Sequence, residues 1–252
     1  MFCMISTDMS TNKVALVTGS NKGIGFAVVR SLCKNFTGDV YLSARDVGRE
    51  IFSRRNTAAS MYSLTTPVLR SKSPIPRLLE SKLRSLRTNF FASRDMCNEF
   101  LTIIKPGGRV VNVSSVMSSI ALKNCSSELQ ARFRSSDITE EELVMLMEKF
   151  VQEAQNGEHT QKGWPNTAYG VSKIGLTVLS KIQARRLREE RTGDQILLNA
   201  CCPGWVRTDM AGPNATKSPD EGAVTPIYLA LLPPGVTEPH GQFVSEKQVQ
   251  VW

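Results

Sequence analysis

Residues 13–25 read KVALVTGSNKGIG, and this stretch decides the fold class. The run up to Thr18 is short, apolar and β-branched, which is typical of a strand buried on both faces. A glycine-rich turn follows, and FAVVRSLCKNF after it has helical spacing. A second strand pattern, VYLSA at 40–44, completes a β-α-β unit with a glycine-rich first turn.

Strand and helix patterns continue to alternate along the chain. RVVNV at 109–113, ILLNAC at 196–201 and Phe243-Val244 are strand-like, and 168–190 is a long helix pattern. Two more helices are expected from their capping residues, Thr139 with Glu142 and Ser218 with Pro219. We therefore expect one domain over residues 1–252 with a Rossmann-like, doubly wound parallel α/β sheet.

The composition of the 252 residues is that of an ordinary globular protein. Hydrophobic content is 41% and charged content 21%, which excludes disorder, collagen and coiled coil for the whole chain. No apolar run has the length of a membrane span, and residues 1–11 do not resemble a signal peptide. Six cysteines without CxxC spacing and only two histidines predict no metal site, reduced thiols and a cytoplasmic protein.

The net charge of +8 comes almost entirely from residues 49–87. This segment contains nine Lys or Arg and two Glu, which accounts for seven of the eight positive charges. It has three prolines and no sustained period of 2 or 3.6, so we expect it to be irregular apart from a short helix near Leu78 to Leu86. Its aromatic residues are only Phe52 and Tyr62, which argues against nucleic-acid binding.

The glycine turn predicts a dinucleotide site. Glycine lets the backbone approach a pyrophosphate, and the next helix offers free N–H groups and the positive end of its dipole. Arg45 follows the second strand, where an arginine suits the 2′-phosphate of NADPH. The alternatives are a plain tight turn and a solvated arginine. The predicted contacts in the turn are Gly19, Asn21, Lys22, Gly23, Ile24 and Gly25.

A catalytic set is predicted on the later elements. Tyr169 and Lys173 lie four residues apart, on one face of a helix. A nearby ammonium lowers the pKa of a phenol and makes it a better proton donor at neutral pH. Ser114, at the end of a strand, is placed to hold a carbonyl oxygen.

With these features together, the chain resembles the short-chain dehydrogenase/reductase family, and within it the monomeric NADPH-dependent carbonyl reductases. The resemblance covers roughly residues 12–48 and 88–252. It is carried by VALVTGSNKGIG, LSARD, RTNFF, GRVVNVSS, ITEEEL, GWPNTAYGVSK, LLNACCPGWVRTDMAGP and HGQFVSEKQVQVW.

The resemblance implies reduction of ketones, aldehydes and quinones by hydride transfer from NADPH, with Tyr169 as the proton donor. It implies a catalytic set of Asn89, Ser114, Tyr169 and Lys173, in which Lys173 also holds the nicotinamide ribose. Tyr169 is expected to contact the cofactor as well, and the residues expected along the nicotinamide are Pro203, Val206, Arg207 and Thr208. Residues expected to line an apolar substrate pocket, or else to be plain core, are Met117, Trp205 and Met210.

The spacing of the catalytic residues bears on oligomeric state. Ser114 and Tyr169 are 55 positions apart, which leaves room for a capped helix at 139–155. In the family, this inserted helix covers a face that other members use for oligomerisation. The resemblance therefore implies a monomer.

The chain departs from the family between LSARD and Asn89. Two family strands, one of which carries a D-V-L-V-N-N-A-G motif that supports the cofactor, have no counterpart in the sequence, and roughly 30 residues are missing. Residues 62–69 are a candidate replacement for the lost central strand, but Pro67 is unfavourable there. The sheet is thus expected to lack or distort two strands.

The genetic code offers a hypothesis for residues 50–87. One legal codon set for D-V-L-V-N-N-A-G-I, read one base late, translates as MYSLTTPV, which is residues 61–68. A mis-spliced or mis-predicted gene would produce such an out-of-frame segment, and transcript sequencing across it tests the idea. The alternative function is then a catalytically impaired dinucleotide-binding protein.

Overall fold

The computed structural model describes residues 13–44 and 84–252 in full, and the backbone alone of residues 2–6 and 61–65. Eight strands of these residues form one sheet, in the order β4-β3-β2-β1-β5-β6-β7-β8. The strands are Phe2–Ser6 (β1), Val14–Thr18 (β2), Asp39–Ala44 (β3), Met61–Thr65 (β4), Arg109–Val113 (β5), Leu197–Cys202 (β6), Phe243–Ser245 (β7) and Gln248–Gln250 (β8).

Helices cover both faces of this sheet, which confirms the predicted α/β class. Val111 of β5 lies in a core with α1 and α7, whereas its neighbour Val110 lies in a second core with α2 and α6. A π-helical turn, Arg87–Phe91, runs directly into α2. The helices are Gly23–Asn35 (α1), Ala92–Leu101 (α2), Val116–Lys123 (α3), Ser127–Arg134 (α4), Glu140–Gln155 (α5), Ala168–Glu190 (α6) and Pro219–Ala230 (α7).

The centre of the sheet differs from the prediction of a parallel sheet. Strand β1 lies between β2 and β5 and runs antiparallel to both. Only residues 7–13 join it to β2, and so short a connection permits antiparallel neighbours but no parallel crossover. Because β1 lies there, the backbone groups of β2 and β5 keep ladder partners that they would otherwise lose.

Residues 61–65, the described part of the segment considered for the lost central strand, do not take that place, which agrees with the objection raised by Pro67. Met61–Thr65 forms β4 at the edge of the sheet, parallel to β3, and the strand ends before Pro67. An edge strand needs pairing on one side only, so a proline just beyond it costs little. The expectation that 49–87 is irregular is wrong for residues 61–65, while residues 84–86 are helical and fall within the short helix expected near Leu78 to Leu86. Residues 45–60 and 66–83 lie outside the described residues.

The predicted capped helix is present as α5. Thr139 is its N-cap and forms a capping box with Glu142. The helix buries Met147 and Phe150 beside Trp164, whose indole N–H donates to the Glu153 carboxylate at 2.6 Å. This layer covers part of α6, the helix that carries the predicted catalytic residues.

The sequence predicted no membrane span, no metal site and reduced cysteines, and the structure bears on these predictions only for the residues that it describes. Within them, no helix is long and apolar enough to cross a membrane. No group of three or more potential metal ligands occurs in the same ranges. The five cysteines whose side chains are described, at positions 33, 97, 125, 201 and 202, are free thiols.

Candidate active site

Tyr169 and Lys173 lie one turn apart near the start of α6. The Lys173 ammonium is 5.7 Å from the centroid of the Tyr169 ring, so the helix presents both groups on one face. The ammonium donates to the carbonyl of Val113, the last residue of β5, at 2.8 Å. This bond fixes Lys173, which is 7% exposed, against the end of a central strand.

The serine beside the phenol is Ser115, which the sequence prediction missed. Its hydroxyl lies close enough to Tyr169 for hydrogen bonding to lower the pKa of that phenol. Ser115 is also the N-cap of α3, where its hydroxyl accepts the Met117 N–H at 3.1 Å. The junction between β5 and α3 therefore fixes the position of the Ser115 side chain.

Ser114, the predicted catalytic serine, faces the other way. It is 2% exposed, and its hydroxyl lies 2.7 Å from the Thr177 hydroxyl and 3.2 Å from the Lys173 carbonyl. Neighbouring side chains of an extended backbone point to opposite sides. The structure therefore does not bring Ser114 to the phenol, and places Ser115 there instead.

The hydroxyl groups of Ser114, Ser118 and Thr177 form a buried network at the start of α3. Ser118 donates to the Ser115 carbonyl at 2.7 Å and accepts the indole N–H of Trp252 at 2.7 Å. Thr177 lies 3.4 Å from Ser118 and connects this pair to Ser114. The role of Ser114 in the structure is thus to join α6 to the end of β5.

Burial dominates the electrostatics of the site. It raises the pKa of Tyr169, while the Ser115 hydroxyl opposes the shift and Cys202 adds to it. The expectation that Lys173 lowers the Tyr169 pKa is contradicted, since that ammonium is bonded to Val113 rather than to the phenol. Burial also lowers the pKa of Lys173 to about 8, with Cys201 and Cys202 opposing the shift.

Asn89 lies in the π-helical turn before α2. Its amide donates to the Ser172 hydroxyl at 3.0 Å, and that hydroxyl donates to the Tyr169 carbonyl at 2.7 Å. The structure therefore brings Asn89 to the helix face of the other predicted catalytic residues. π turns are rare and frequently occur at functional sites.

The glycine turn has the backbone that a close ligand requires. Gly19 and Gly23 have positive φ angles of 62° and 56°. A Cβ on Gly25 would fall on the carbonyl of Gly19 and come within 2.8 Å of the Ser20 Cα. Lys22 caps α1 without a side-chain cap bond, so the first N–H groups of the helix stay available.

The structure gives less support to the other residues predicted to bind the cofactor near this turn. Lys22 forms an ion pair with Asp209, and both side chains are more than half exposed. Asn21 is half-buried, and Ile24 packs against the core beneath α1. Arg45, the residue predicted to select NADPH, lies outside the described residues.

The loop after β6 closes on the glycine turn. A Cβ on Gly23 would lie 3.1 Å from the Thr208 methyl group, so these two predicted cofactor residues are neighbours. Pro203 is half-buried, and Val206 is buried. The Arg207 guanidinium donates at 2.9 Å to each of two loop carbonyls, those of Ala215 and Thr216, so its contacts are structural.

Several apolar side chains are exposed in the loop after β6 and on α3, the helix that Ser115 caps. Trp205 is 55% and Met210 80% exposed, which excludes core packing as the reason for their presence. Met117 is half-buried, and its neighbours Val116 and Ile120 are almost half exposed, a pair that the sequence prediction missed. Exposed apolar surface of this kind marks binding sites.

Comparison with known proteins identifies the family. No family model matches the chain. Carbonyl reductase (NADPH) 1 of Homo sapiens is 54% identical over 272 residues, covering 95% of this chain and 98% of that protein. The protein of the same name from Rattus norvegicus is 53% identical over 276 residues, covering 96% and 99%. The chain belongs to the carbonyl reductases of the short-chain dehydrogenase/reductase family.

Solved structures of other reductases share the fold of this carbonyl reductase family member. Salutaridine reductase from Papaver somniferum gives a TM-score of 0.71 at 20% identity, covering 90% of this chain and 98% of that one. Menthone neomenthol reductase from Mentha piperita gives 0.70 at 23% identity, covering 95% and 100%. The Rossmann-like fold predicted from the sequence is confirmed.

The carbonyl reductase alignment also has the expected gap. It runs over 272 positions, while 95% of this 252-residue chain is about 239 residues. The difference, 272 minus about 239, leaves about 33 positions without a counterpart in this chain. That number agrees with the roughly 30 residues predicted to be missing.

Proposed function

We propose that this chain reduces carbonyl compounds to alcohols with NADPH as the hydride donor. The observation that carries the proposal is the Tyr169 phenol set between the Ser115 hydroxyl and the Lys173 ammonium, at the edge where β5 ends. The names of the 53–54% identical relatives support the same activity. The exposed apolar side chains of the loop after β6 and of α3 favour aldehydes, ketones and quinones with apolar bodies.

Each residue has a distinct role in this proposal. Tyr169 donates the proton to the substrate oxygen, and its raised pKa keeps the phenol protonated at neutral pH. Ser115 donates a hydrogen bond to the same oxygen as negative charge develops on it. Lys173 holds the nicotinamide ribose, and Asn89 supports the proton relay. NADPH, when bound, supplies a hydride from C4 of its nicotinamide.

The cofactor site fits the glycine turn and the loop beside it. The free N–H groups at the start of α1 suit the pyrophosphate, and Gly25 leaves the room that a side chain would fill. Thr208 closes the same region from the loop after β6. Arg45 and Lys22 are proposed for the 2′-phosphate, which gives the preference for NADPH.

One observation favours a catalytically impaired dinucleotide-binding protein as the second candidate. The family motif strand runs parallel and ends in an Asn-Ala-Gly loop at the catalytic edge, but β1 runs in the opposite direction. Among the described residues, no segment replaces that loop. The two candidates differ in whether NADPH binding is accompanied by turnover.

The test is carbonyl-dependent oxidation of NADPH by the purified chain, together with its melting temperature with and without NADPH. Turnover of a quinone or aromatic ketone supports the reductase. A melting temperature that rises with NADPH, without turnover, supports the impaired binding protein. No cooperative transition contradicts both, because the scaffold would then be lost.

Replacing each serine in turn tests which one is catalytic. Ser115→Ala should lower kcat by about 10²–10³-fold, the effect of removing one hydrogen-bond donor from a developing oxyanion. Ser114→Ala should leave kcat within about threefold and lower the stability by about 1 kcal/mol, because it removes only a buried hydrogen bond. Steady-state kinetics and melting curves measure both effects. If Ser114→Ala lowered kcat more than Ser115→Ala, Ser114 and not Ser115 would be the catalytic serine.

The lowered pKa of Lys173 predicts an alkaline limit to activity. Because its ammonium loses a proton with a pKa of about 8, kcat/KM should fall about tenfold per pH unit above that value. The Tyr169 pKa is raised, so the phenol does not account for such a limb. The folded-state pKa of Lys173 lies below the unfolded value of 10.5, so this group makes stability rise between pH 8 and 10.5.

The measurement is a kcat/KM profile from pH 6 to 10, with melting curves at each pH to exclude unfolding. Lys173→Arg, whose guanidinium stays protonated, should remove the alkaline limb. A wild-type profile that stays flat to pH 10 would contradict the prediction.

We further propose a cytoplasmic monomer that binds neither nucleic acid nor membrane. The packing of α5 over part of α6 supports the monomer. Sedimentation of the full chain at micromolar concentration checks the oligomeric state.

A further inference from the structure

A cavity whose lining includes neither Tyr169 nor the glycine turn lies between the end of α4, the middle of α6 and the residues before β7. Its volume is about 270 Å³, roughly nine water volumes. The floor is apolar and includes Phe133, Ile138 and Ile182, all buried. The walls are strongly basic, with Arg134, Lys181, Arg185 and Arg188 among the lining residues.

The positive charge of this basic cavity is poorly compensated. No carboxylate is among its described lining residues. Within the described ranges, Lys181, Arg134 and Arg185 form no ion pair, and Arg188 reaches only the exposed Glu238 at the rim, at 4.0 Å. The other ion pairs among the described residues join Asp and Glu side chains to Lys and Arg residues outside this cavity.

The cations have ordered positions. The Lys181 ammonium lies 4.3 Å from the centroid of the Trp252 ring, which holds the side chain at the cavity. Arg185 donates to the carbonyls of Ser136 and Ile138, the second at 2.7 Å, so it fixes the loop that forms one wall. Burial and the neighbouring Arg134 charge both lower the pKa of Lys181, as expected for like charges that lack a counter-ion.

His240 also lines the cavity but belongs to the scaffold. Its Nε2 lies 2.8 Å from the Ala184 carbonyl, and its Nδ1 accepts the Leu198 N–H at 3.3 Å. These two bonds fix one neutral tautomer, in which Nε2 carries the proton. The ring therefore has no nitrogen left for a ligand, and the charges that face the cavity come from lysine and arginine.

We propose that this basic cavity binds a small phosphate ester, with Lys181 and Arg134 on the phosphate and the apolar floor beneath the organic group. Guanidinium and ammonium groups are the usual partners of phosphate oxygens, and the Lys181 ammonium is already partly desolvated here. The site is separate from the proposed catalytic residues. It does not depend on the proposed carbonyl reduction.

Titration calorimetry of the full chain with phenyl phosphate and with inorganic phosphate tests the proposal. Phenyl phosphate should bind more tightly than inorganic phosphate. The double variant Lys181→Met with Arg134→Gln should weaken phenyl phosphate binding at least about tenfold, equivalent to about 1.4 kcal/mol.

Two further variants distinguish loss of this binding site from a general loss of positive charge and from misfolding. Lys34→Met removes an exposed positive charge on α1 and should leave binding unchanged. Lys181→Arg keeps the charge and should retain binding. Equal binding by the wild type and the double variant, or no binding by the wild type, would overturn the proposal.

Discussion

Replacing Tyr169 by phenylalanine should lower kcat for carbonyl reduction by about 10²–10⁴-fold, the contribution typical of a positioned general acid. The variant keeps the ring, its packing and its distance from Lys173, and loses only the hydroxyl that faces Ser115. Steady-state oxidation of NADPH with a quinone substrate measures the effect. KM should change much less than kcat, because the lost interaction belongs to the transition state.

NADPH affinity is the control for this variant. Because the glycine turn lies on α1 and not on α6, the rise in melting temperature with NADPH should match that of the wild type. If Tyr169→Phe retained activity within about threefold, the phenol would not be the proton donor. Loss of both activity and the NADPH response would instead indicate damage to the scaffold.

Introducing proline at Met4, in the middle of β1, should unfold the chain or lower its melting temperature by at least about 2 °C. Every amide of a strand with neighbours on both sides has a ladder partner, and proline removes one donor. The buried acceptor left behind costs about 1–3 kcal/mol, a large part of a typical total stability of ~5–15 kcal/mol. In a protein of this size, about 1 kcal/mol shifts the melting temperature by about 2–4 °C.

The matched control is Val249→Pro, in the middle of the edge strand β8, at a non-hydrogen-bonded pair with Val244 where the N–H points away from β7. Proline is tolerated at that kind of position, so the stability should change by no more than about 0.5 kcal/mol. Differential scanning calorimetry compares the two variants with the wild type. Identical melting of Met4→Pro and Val249→Pro would mean that β1 does not hold the centre of the sheet.

Local features of the site followed from the sequence because short-range geometry produces them. The turn after Thr18 has the expected positive-φ glycines, and the capping box at Thr139 opens its helix where predicted. Tyr169 and Lys173 share a face because four residues make about one helical turn. None of these depends on a distant part of the chain.

The choice between Ser114 and Ser115 needed the tertiary structure. Both residues follow the same strand, and the alternation of side chains puts one into the core and the other beside the phenol. Which side faces Tyr169 depends on where α6 packs against β5. The same packing buries Tyr169 and Lys173, so burial and not their mutual charge sets both pKa directions.

The sequence by itself determined the fold class, the glycine turn and the Tyr-Lys pair, since each depends on residues that are close together in the chain. Only the tertiary structure decided that Phe2–Ser6 occupies the centre of the sheet and Met61–Thr65 its edge. Strand pairing joins residues far apart in the chain, and a five-residue segment carries little information about its partner. Here the seven-residue link to β2 forces β1 to run antiparallel, and a strand in that position restores hydrogen bonds that β2 and β5 would otherwise lack.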